Sequence, residues 1–312
     1  MKYDVIIIGA GSAGLSAAIF ASRRNLKTLL ISEDIGGQAT NAGLIENYPG
    51  VEAADGATLM MNFLKQAQRF GAEFKGEEAI GLTKKGNEFL VKTNNGEYLS
   101  SALVLSSGLS HRHLGVPGEE KFVGRGVAYC ANCDAPLYKN KTVAVVGGGN
   151  SALDAALMLA QNSPKVYLIH RREIFRGEEI LINQVLKNKA IEILYDSAVK
   201  EIKGENKVNQ IIVEQKGKNV TLNVEGVFVE IGYEVRADFL AGLVKQDEKN
   251  QIIVDHQGRT SLPGVFAAGD VTDTPYKQLV ISAGEGAKAA LACHQYLQAQ
   301  GKTKNIFVDW GK

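Results

Sequence analysis

The sequence predicts an α/β protein built from two Rossmann-like units. Three observations carry that expectation. The chain has 312 residues, and at roughly 100–200 residues per domain it suits two domains. Near the N-terminus a fully apolar, β-branched run leads into a glycine-rich turn and then into a helix, over residues 5–23. The same plan returns over residues 142–161. A strand that is apolar throughout, and does not alternate, is expected where a parallel sheet is covered on both faces.

The first unit opens with the strand Val5-Ile6-Ile7-Ile8 and the loop Gly9-Ala10-Gly11-Ser12-Ala13-Gly14, a G-x-G-x-x-G. Each glycine has a separate task. The first makes a tight turn, the second lets backbone approach a pyrophosphate, and the third lets the helix pack closely on the strand. Small and apolar residues then read as helix as far as Arg23-Arg24, and the strand Thr28-Leu29-Leu30-Ile31 follows, ending at Ser32-Glu33. Glu33 stands about where a dinucleotide fold puts the carboxylate that accepts a ribose hydroxyl, roughly 20 residues past the loop. Ser12 and Ala13, at the helix start, bring free N–H groups to a phosphate.

The second unit has the strand Thr142-Val143-Ala144-Val145-Val146 and the loop Gly147-Gly148-Gly149-Asn150-Ser151-Ala152, a G-x-G-x-x-A. Its next strand, Val166-Tyr167-Leu168-Ile169, ends in His170-Arg171-Arg172, with Arg176 beyond. Potential cations stand where the first unit has an acid. A guanidinium grips a phosphate with two parallel hydrogen bonds, so this site is expected to take the 2′-phosphate of NADPH. The first site, with its acid, suits FAD. A nicotinamide and a flavin in one chain imply hydride transfer between them.

Cys130 and Cys133 form a C-x-x-C just upstream of the second loop. Three readings compete. Structural zinc ordinarily needs four ligands, and Cys293-His294 is the only further cysteine-bearing pair available, with its side chains about 100° apart on a helix. An inert buried pair is the second reading. The third is a redox-active disulfide, which matches a flavin because its reduction is also a two-electron step. Asp134, next in sequence, is then a candidate to move the proton, with a turn or cap residue as its plainer reading. Cys293 reads as a small core residue of its helix.

Bulk properties narrow the classes. The 35 basic and 34 acidic residues give a net charge of +1, so no excess of positive charge points to nucleic acid or an anionic membrane. No run approaches the roughly 18–20 apolar residues of a membrane span, and the first strand is too short for a signal-peptide core. With 3 cysteines there is no secreted disulfide framework, so a reducing cytoplasm is expected.

Taken together these residues resemble the low-molecular-weight thioredoxin reductase family of pyridine-nucleotide disulfide oxidoreductases. The resemblance runs through "GAGSAG" at 9–14, "GGQ" at 36–38, "ENYPG" at 46–50, "CANCD" at 130–134, "GGGNSA" at 147–152, "HRREIFR" at 170–176, "GVFAAGDV" at 264–271 and "YKQLVISAGEGAKAA" at 276–290. It implies a discontinuous FAD domain, residues 1–113 and 240–312, with a three-layer NADPH domain, residues 114–239, inserted in it. It further implies that Gly36, Gly37, Gln38, Asn47 and Gly108 line the flavin, that Gly269 and Asp270 hold the FAD ribityl or pyrophosphate region, and that Lys277, Gln278 and Leu279 approach the ring. Ile231 and Gly232 are implied beside the nicotinamide nucleotide. Cys133 would lie against the flavin and Cys130 would attack the substrate disulfide, which belongs to thioredoxin or a thioredoxin-like protein. A homodimer is implied, with no metal.

The chain departs from the family pattern at Asn132, at Ala135-Pro136, at Ser106-Ser107, at Lys277 and at Val235-Arg236-Ala237. Because dithiol and nicotinamide must both reach one flavin, a swivel of the inserted domain on Gly115, Gly118 and Gly232 is expected. Two alternatives differ in kind. One is the flavoprotein reductase of a peroxiredoxin system, working through a separate glutaredoxin-like carrier. The other is a flavin- or zinc-binding redox sensor that does not turn over.

Overall fold

The computed structural model describes residues 2–41, 44–235, 238–240 and 242–303, apart from the side chains of Asn41, Asn132, Cys133 and Asp238. The expectations for the Cys133 thiol and for Arg236-Ala237 therefore lie outside the described residues. The chain forms two compact units, Met1–Ser110 with Glu234–Lys312, and His111–Tyr233. The second is inserted in the sequence of the first.

In the outer unit a seven-stranded sheet runs Glu73–Gly76, Thr28–Ser32, Lys2–Ile8, Glu97–Leu105, Glu88–Thr93, Ala79–Lys85, with Val265–Ala267 also paired to Glu97–Leu105. The strands from Glu73–Gly76 to Glu97–Leu105, and Val265–Ala267, pair in parallel. From Val5 to Ile8, alternate residues of the first strand enter two different cores. Val5 and Ile7 pack under the helices, and Tyr3, Ile6 and Ile8 pack on the opposite face. That is the physical reason for the unbroken apolar run. Register sets the site: Ile8 stands opposite both Ile31 and Leu105. The loops that leave these strands, at Gly9, Glu33 and Ser106, therefore emerge together at the carboxyl edge, on either side of the first strand, where the strand order reverses.

Helix Ser12–Arg23 packs against helix Leu279–Ala299. Glycine makes this approach possible, since a Cβ on Gly286 would stand 2.0 Å from the Ala13 carbonyl oxygen. Helix Gly56–Arg69 begins at Asp55, whose carboxylate accepts from the Thr58 N–H at 2.9 Å, a regular N-cap.

The inner unit has a five-stranded parallel sheet in the order Val127–Ala128, Gly226–Glu230, Thr142–Gly147, Lys165–Ile169, Ile191–Leu194. Helices Asn150–Leu159 and Glu179–Lys187 cover one face through Leu153, Ala156, Leu159 and Val185. The other face packs on an antiparallel sheet of Ser197–Gly204, Val208–Gln215 and Lys218–Asn223, through Val146, Ile169, Ile202, Ile211 and Val213. This gives helix, parallel sheet and antiparallel sheet as three layers. Among the described residues no helix is long and apolar enough to cross a membrane.

Candidate dinucleotide sites and redox centre

The outer unit's carboxyl edge opens into a cleft of about 570 Å³. Gly9, Gly11, Ser12, Ala13, Gly36, Gly37, Gln38, Asn47, Gly108, Asp270, Lys277, Gln278 and Leu279 all line it. The glycine loop is built on close backbone contacts. At Gly9, φ is +102° and a Cβ would meet the Ser106 carbonyl oxygen at 2.3 Å. At Gly14 a Cβ would stand 1.8 Å from the Gly9 oxygen. Gly11 is different: nothing lies within 4 Å of its missing Cβ, so its open side faces the cleft.

Ser106 locks the loop from below. Its hydroxyl donates to the carbonyls of Ile8 at 2.8 Å and Gly9 at 3.0 Å. Read as the first residue of a changed motif, Ser106 carried no role in the sequence. Its signal is only that a hydroxyl follows an apolar strand.

The far wall is held by polar contacts. Lys277 Nζ donates to the carbonyl oxygens of Thr272 at 2.7 Å and Asp270 at 3.1 Å. Burial holds its ammonium below the usual lysine range and pushes the Asp270 carboxyl up. Ser282 donates to Asp270 Oδ1 at 3.0 Å. The Gly269 N–H donates to Glu285 Oε2 at 2.9 Å, and Thr274 Oγ1 donates to Glu285 Oε1 at 2.7 Å. Gly269 itself sits behind the wall, and a Cβ there would meet Ala13 Cβ at 2.8 Å. Glu285, inside "AGEGAKAA", went unnoticed because its partner is brought by the fold. Asn47 Nδ2 donates to Gln278 Oε1 at 3.2 Å and Gln38 Nε2 to the Leu109 carbonyl at 3.1 Å. Glu33 is exposed and does not line the cleft, whereas its neighbours Ser32 and Asp34 do.

The inner unit repeats the cradle. A Cβ on Gly147 would stand 2.3 Å from the Glu230 carbonyl oxygen and 2.5 Å from Ala152 Cβ. Gly149 leaves its Cβ side open, with nothing within 4 Å. The Asn150 side chain binds the next loop: its Nδ2 donates to Glu178 Oε1 at 2.9 Å, and its Oδ1 accepts the Glu178 N–H at 2.8 Å. The Arg176 N–H donates to the Gly148 carbonyl at 2.8 Å. Ser151 is exposed at the helix start and Ala152 is buried under it. Ile231 is part-buried, and Gly232 is exposed with φ +97°.

The four basic residues that sequence reading groups, His170, Arg171, Arg172 and Arg176, do not stay together. Arg171, Arg172 and Arg176 are exposed. His170 is 3% exposed; a Cβ on Gly148 would meet its Nδ1 at 2.1 Å, and its Nε2 pairs with the Ile174 carbonyl oxygen at 3.0 Å. The imidazole fills space under the loop, leaving the guanidinium groups as the accessible cations.

Cys130 is disulfide-bonded. It directly precedes the short helix Ala131–Asp134. The Asp134 N–H donates to the Cys130 carbonyl at 3.2 Å, and burial raises the Asp134 carboxyl above its ordinary range. Tyr129, on the other side of Cys130, donates to Glu119 Oε1 at 2.9 Å and pairs with His113 Nδ1 at 2.8 Å. Glu119, only 2% exposed, also accepts the N–H groups of Leu114 and Gly115 at 2.9 and 2.8 Å. Cys293 is a free, fully buried thiol in helix Leu279–Ala299, and burial pushes it up. Among the described residues no group of three or more His, Cys, Asp or Glu is set to hold a metal ion.

Both cradles fit a dinucleotide by their own geometry. The helices at Gly11 and Gly149 have no side-chain cap, so their first N–H groups are left for phosphate oxygens. The family model described as pyridine nucleotide-disulphide oxidoreductase matches residues 3–292. The chain belongs to that family. It is similar to the thioredoxin reductase of Treponema pallidum (strain Nichols), 39% identical over 302 residues, which are 95% of this chain and 97% of the relative. Among solved structures it is similar to Lactococcus lactis thioredoxin reductase in the FR conformation (TM-score 0.79, 35% identity, 96% of this chain and 100% of that one). T. acidophilum thioredoxin reductase matches at TM-score 0.75 and 33% identity, over 94% of this chain and 98% of that one. Within the family the chain is an oxidoreductase of the thioredoxin reductase kind, and FAD and NADPH are its cofactors.

Proposed function

We propose that the chain passes electron pairs from NADPH through FAD to the Cys130–Cys133 couple, and from there to a disulfide of thioredoxin or a thioredoxin-like protein. The observation that carries this reading is the presence, in one chain, of two glycine cradles and a disulfide at Cys130. Bound FAD supplies the two-electron chemistry that connects a nicotinamide to a disulfide. The residues of the chain bind, orient and move protons. Gly9, Gly11, Ser12, Ala13 and Gly14 hold the FAD pyrophosphate, with Asp34, the cleft-lining acid next to Glu33, toward the ribose. Gly36, Gly37, Gln38, Asn47, Gly108, Gly269, Asp270, Lys277, Gln278 and Leu279 form the rest of that site.

Gly147, Gly149, Asn150, Ser151 and Ala152 hold the NADPH pyrophosphate, Arg171, Arg172 and Arg176 its 2′-phosphate, and Ile231 and Gly232 its nicotinamide side. Cys133 would exchange electrons with the flavin, and Cys130 would attack the substrate disulfide. Asp134, whose raised proton affinity keeps it protonated at higher pH than an ordinary aspartate, gives the proton to the departing sulfur. The functional form is a cytoplasmic homodimer, an expectation that rests on the resemblance.

The test is a carrier assay. NADPH and DTNB are supplied with either thioredoxin or a glutaredoxin-like protein. Acceleration of thiol release by thioredoxin is expected; acceleration by the glutaredoxin-like carrier alone overturns the reading in favour of a peroxide-reducing system. Glutamine at Arg171, Arg172 and Arg176 together is expected to raise KM for NADPH by roughly a hundredfold while changing that for NADH by less than about threefold. Equal losses for both nucleotides refute the phosphate role.

The inner unit swivels between half-reactions. Gly115 and Gly232 retain room for this, with positive φ and nothing within 4 Å of a Cβ. Gly118 does not: a Cβ there would stand 1.9 Å from the Ile202 carbonyl oxygen, so it is packed inside its own unit. An engineered cross-link between the units is expected to permit one half-reaction and block repeated turnover. A cross-linked enzyme that cycles at the normal rate excludes the swivel.

A further inference from the structure

Strand Gly226–Glu230 is apolar and buried through Val229 and then ends in a carboxylate. An apolar residue there would avoid the desolvation penalty, so the acid calls for a reason. Its side chain reaches the segment that carries the cysteine pair. Glu230 Oε1 accepts the N–H of Ala131, the residue after Cys130, at 3.4 Å, a long contact. Its backbone stands opposite Gly147, and its carbonyl oxygen occupies the space a Gly147 Cβ would need. One residue thus touches the backbone beside the disulfide and the first glycine of the nucleotide loop.

Burial pushes the Glu230 carboxyl up to about 7, and the Ala131 N–H offsets only part of that rise. The titratable and charged groups on the segments around it are Cys130 and Asp134 on the cysteine segment, Tyr129 just before it with its partners His113 and Glu119, Arg112, whose N–H donates to the Gly232 carbonyl, and the exposed Asp154 on helix Asn150–Leu159. Strand Thr142–Gly147 carries none. Among the described residues no cation pairs with the Glu230 carboxylate. A negative charge forming at Cys130, the residue before the Ala131 N–H that Glu230 accepts, raises its proton affinity further.

We propose that Glu230 is a positioning residue that couples opening of the Cys130 disulfide to uptake of a proton. The inference rests on the redox reading of that disulfide. In the step, the S–S bond accepts two electrons and one proton and breaks into a thiol and a thiolate, and the Glu230 carboxylate takes a second proton from solvent. When a substrate disulfide withdraws the two electrons, the S–S bond re-forms and both protons leave.

The experiment needs neither nicotinamide nor a carrier protein. Flavin-loaded wild type and Glu230→Gln are equilibrated anaerobically in mixtures of reduced and oxidised dithiothreitol from pH 6 to 8.5. Thiols are trapped by alkylation, and the fraction of Cys130 alkylated is read by mass spectrometry. Below the folded pKa the wild-type acid is already protonated and resembles the amide, so the two proteins are expected to agree within about twofold at pH 6. Above it, the wild-type disulfide must gather a proton to open, so its reduced fraction is expected to fall behind that of Glu230→Gln by about tenfold at pH 8.5.

Parallel curves overturn the proposal. A Cys130 that opens in neither protein also overturns it, by removing the redox reading beneath it. If Glu230→Gln fails to hold flavin, Glu230→Asp serves instead: the pH at which the reduction curve bends must move, and an unmoved bend counts against Glu230.

Discussion

Gly14→Ala is expected to give a protein that is destabilised by more than about 3 kcal/mol and retains almost no flavin. The reason is local and unforgiving. The added Cβ would stand 1.8 Å from the Gly9 carbonyl oxygen and 2.6 Å from Ser106 Oγ. The first of these is backbone, fixed between paired strands on either side, and cannot swing away. Relief requires moving helix Ser12–Arg23 off the sheet, which also strips it from helix Leu279–Ala299, where Gly286 sits against Ala13. Gly11→Ala is the control, because nothing lies within 4 Å of its new Cβ. Its melting temperature without flavin should stay within about 2 °C of wild type, while flavin binding weakens because the methyl group enters the cleft. Thermal melts with and without flavin distinguish the two. A Gly14→Ala protein that melts normally contradicts the close-packed loop.

Cys133→Ser is expected to lower disulfide reduction by at least roughly a thousandfold while NADPH still bleaches the flavin. Hydride transfer to the flavin needs only the two dinucleotide cradles, whereas passage onward needs the second sulfur. A rapid-mixing trace at the flavin absorbance, set beside the carrier assay, separates the steps. A variant that no longer bleaches places the thiol before the flavin and reverses the order of carriers.

How much of this was legible in the sequence depended on whether a feature is local. The apolar runs at Val5-Ile6-Ile7-Ile8 and Thr142-Val143-Ala144-Val145-Val146 and the glycines after them impose their structure within a few residues, so strand, loop and helix were readable. The cleft residues Gln38, Asn47 and Lys277 are brought together only by the sheet register, and it was family resemblance, not spacing, that marked them. His170 was misread as an accessible cation because three basic letters in a row do not show which one turns inward; the bare Cα of Gly148 decides that. Glu119, Glu285 and Glu230, and the loop-locking role of Ser106, escaped notice for a related reason. Each is an ordinary polar letter whose partner lies far along the chain or on a backbone atom. Gly118 looked like a hinge beside Gly115 because a positive φ serves tight packing as readily as motion.

The central claim is that electrons from the nicotinamide reach the sulfur of Cys130. Anaerobic titration of the FAD-loaded protein with NADPH, followed at each step by alkylation and mass spectrometry of Cys130, tests it most directly. The expected result is that Cys130 is unreactive at the start and becomes alkylated in proportion to the NADPH consumed. A flavin that bleaches fully while Cys130 stays closed would contradict it.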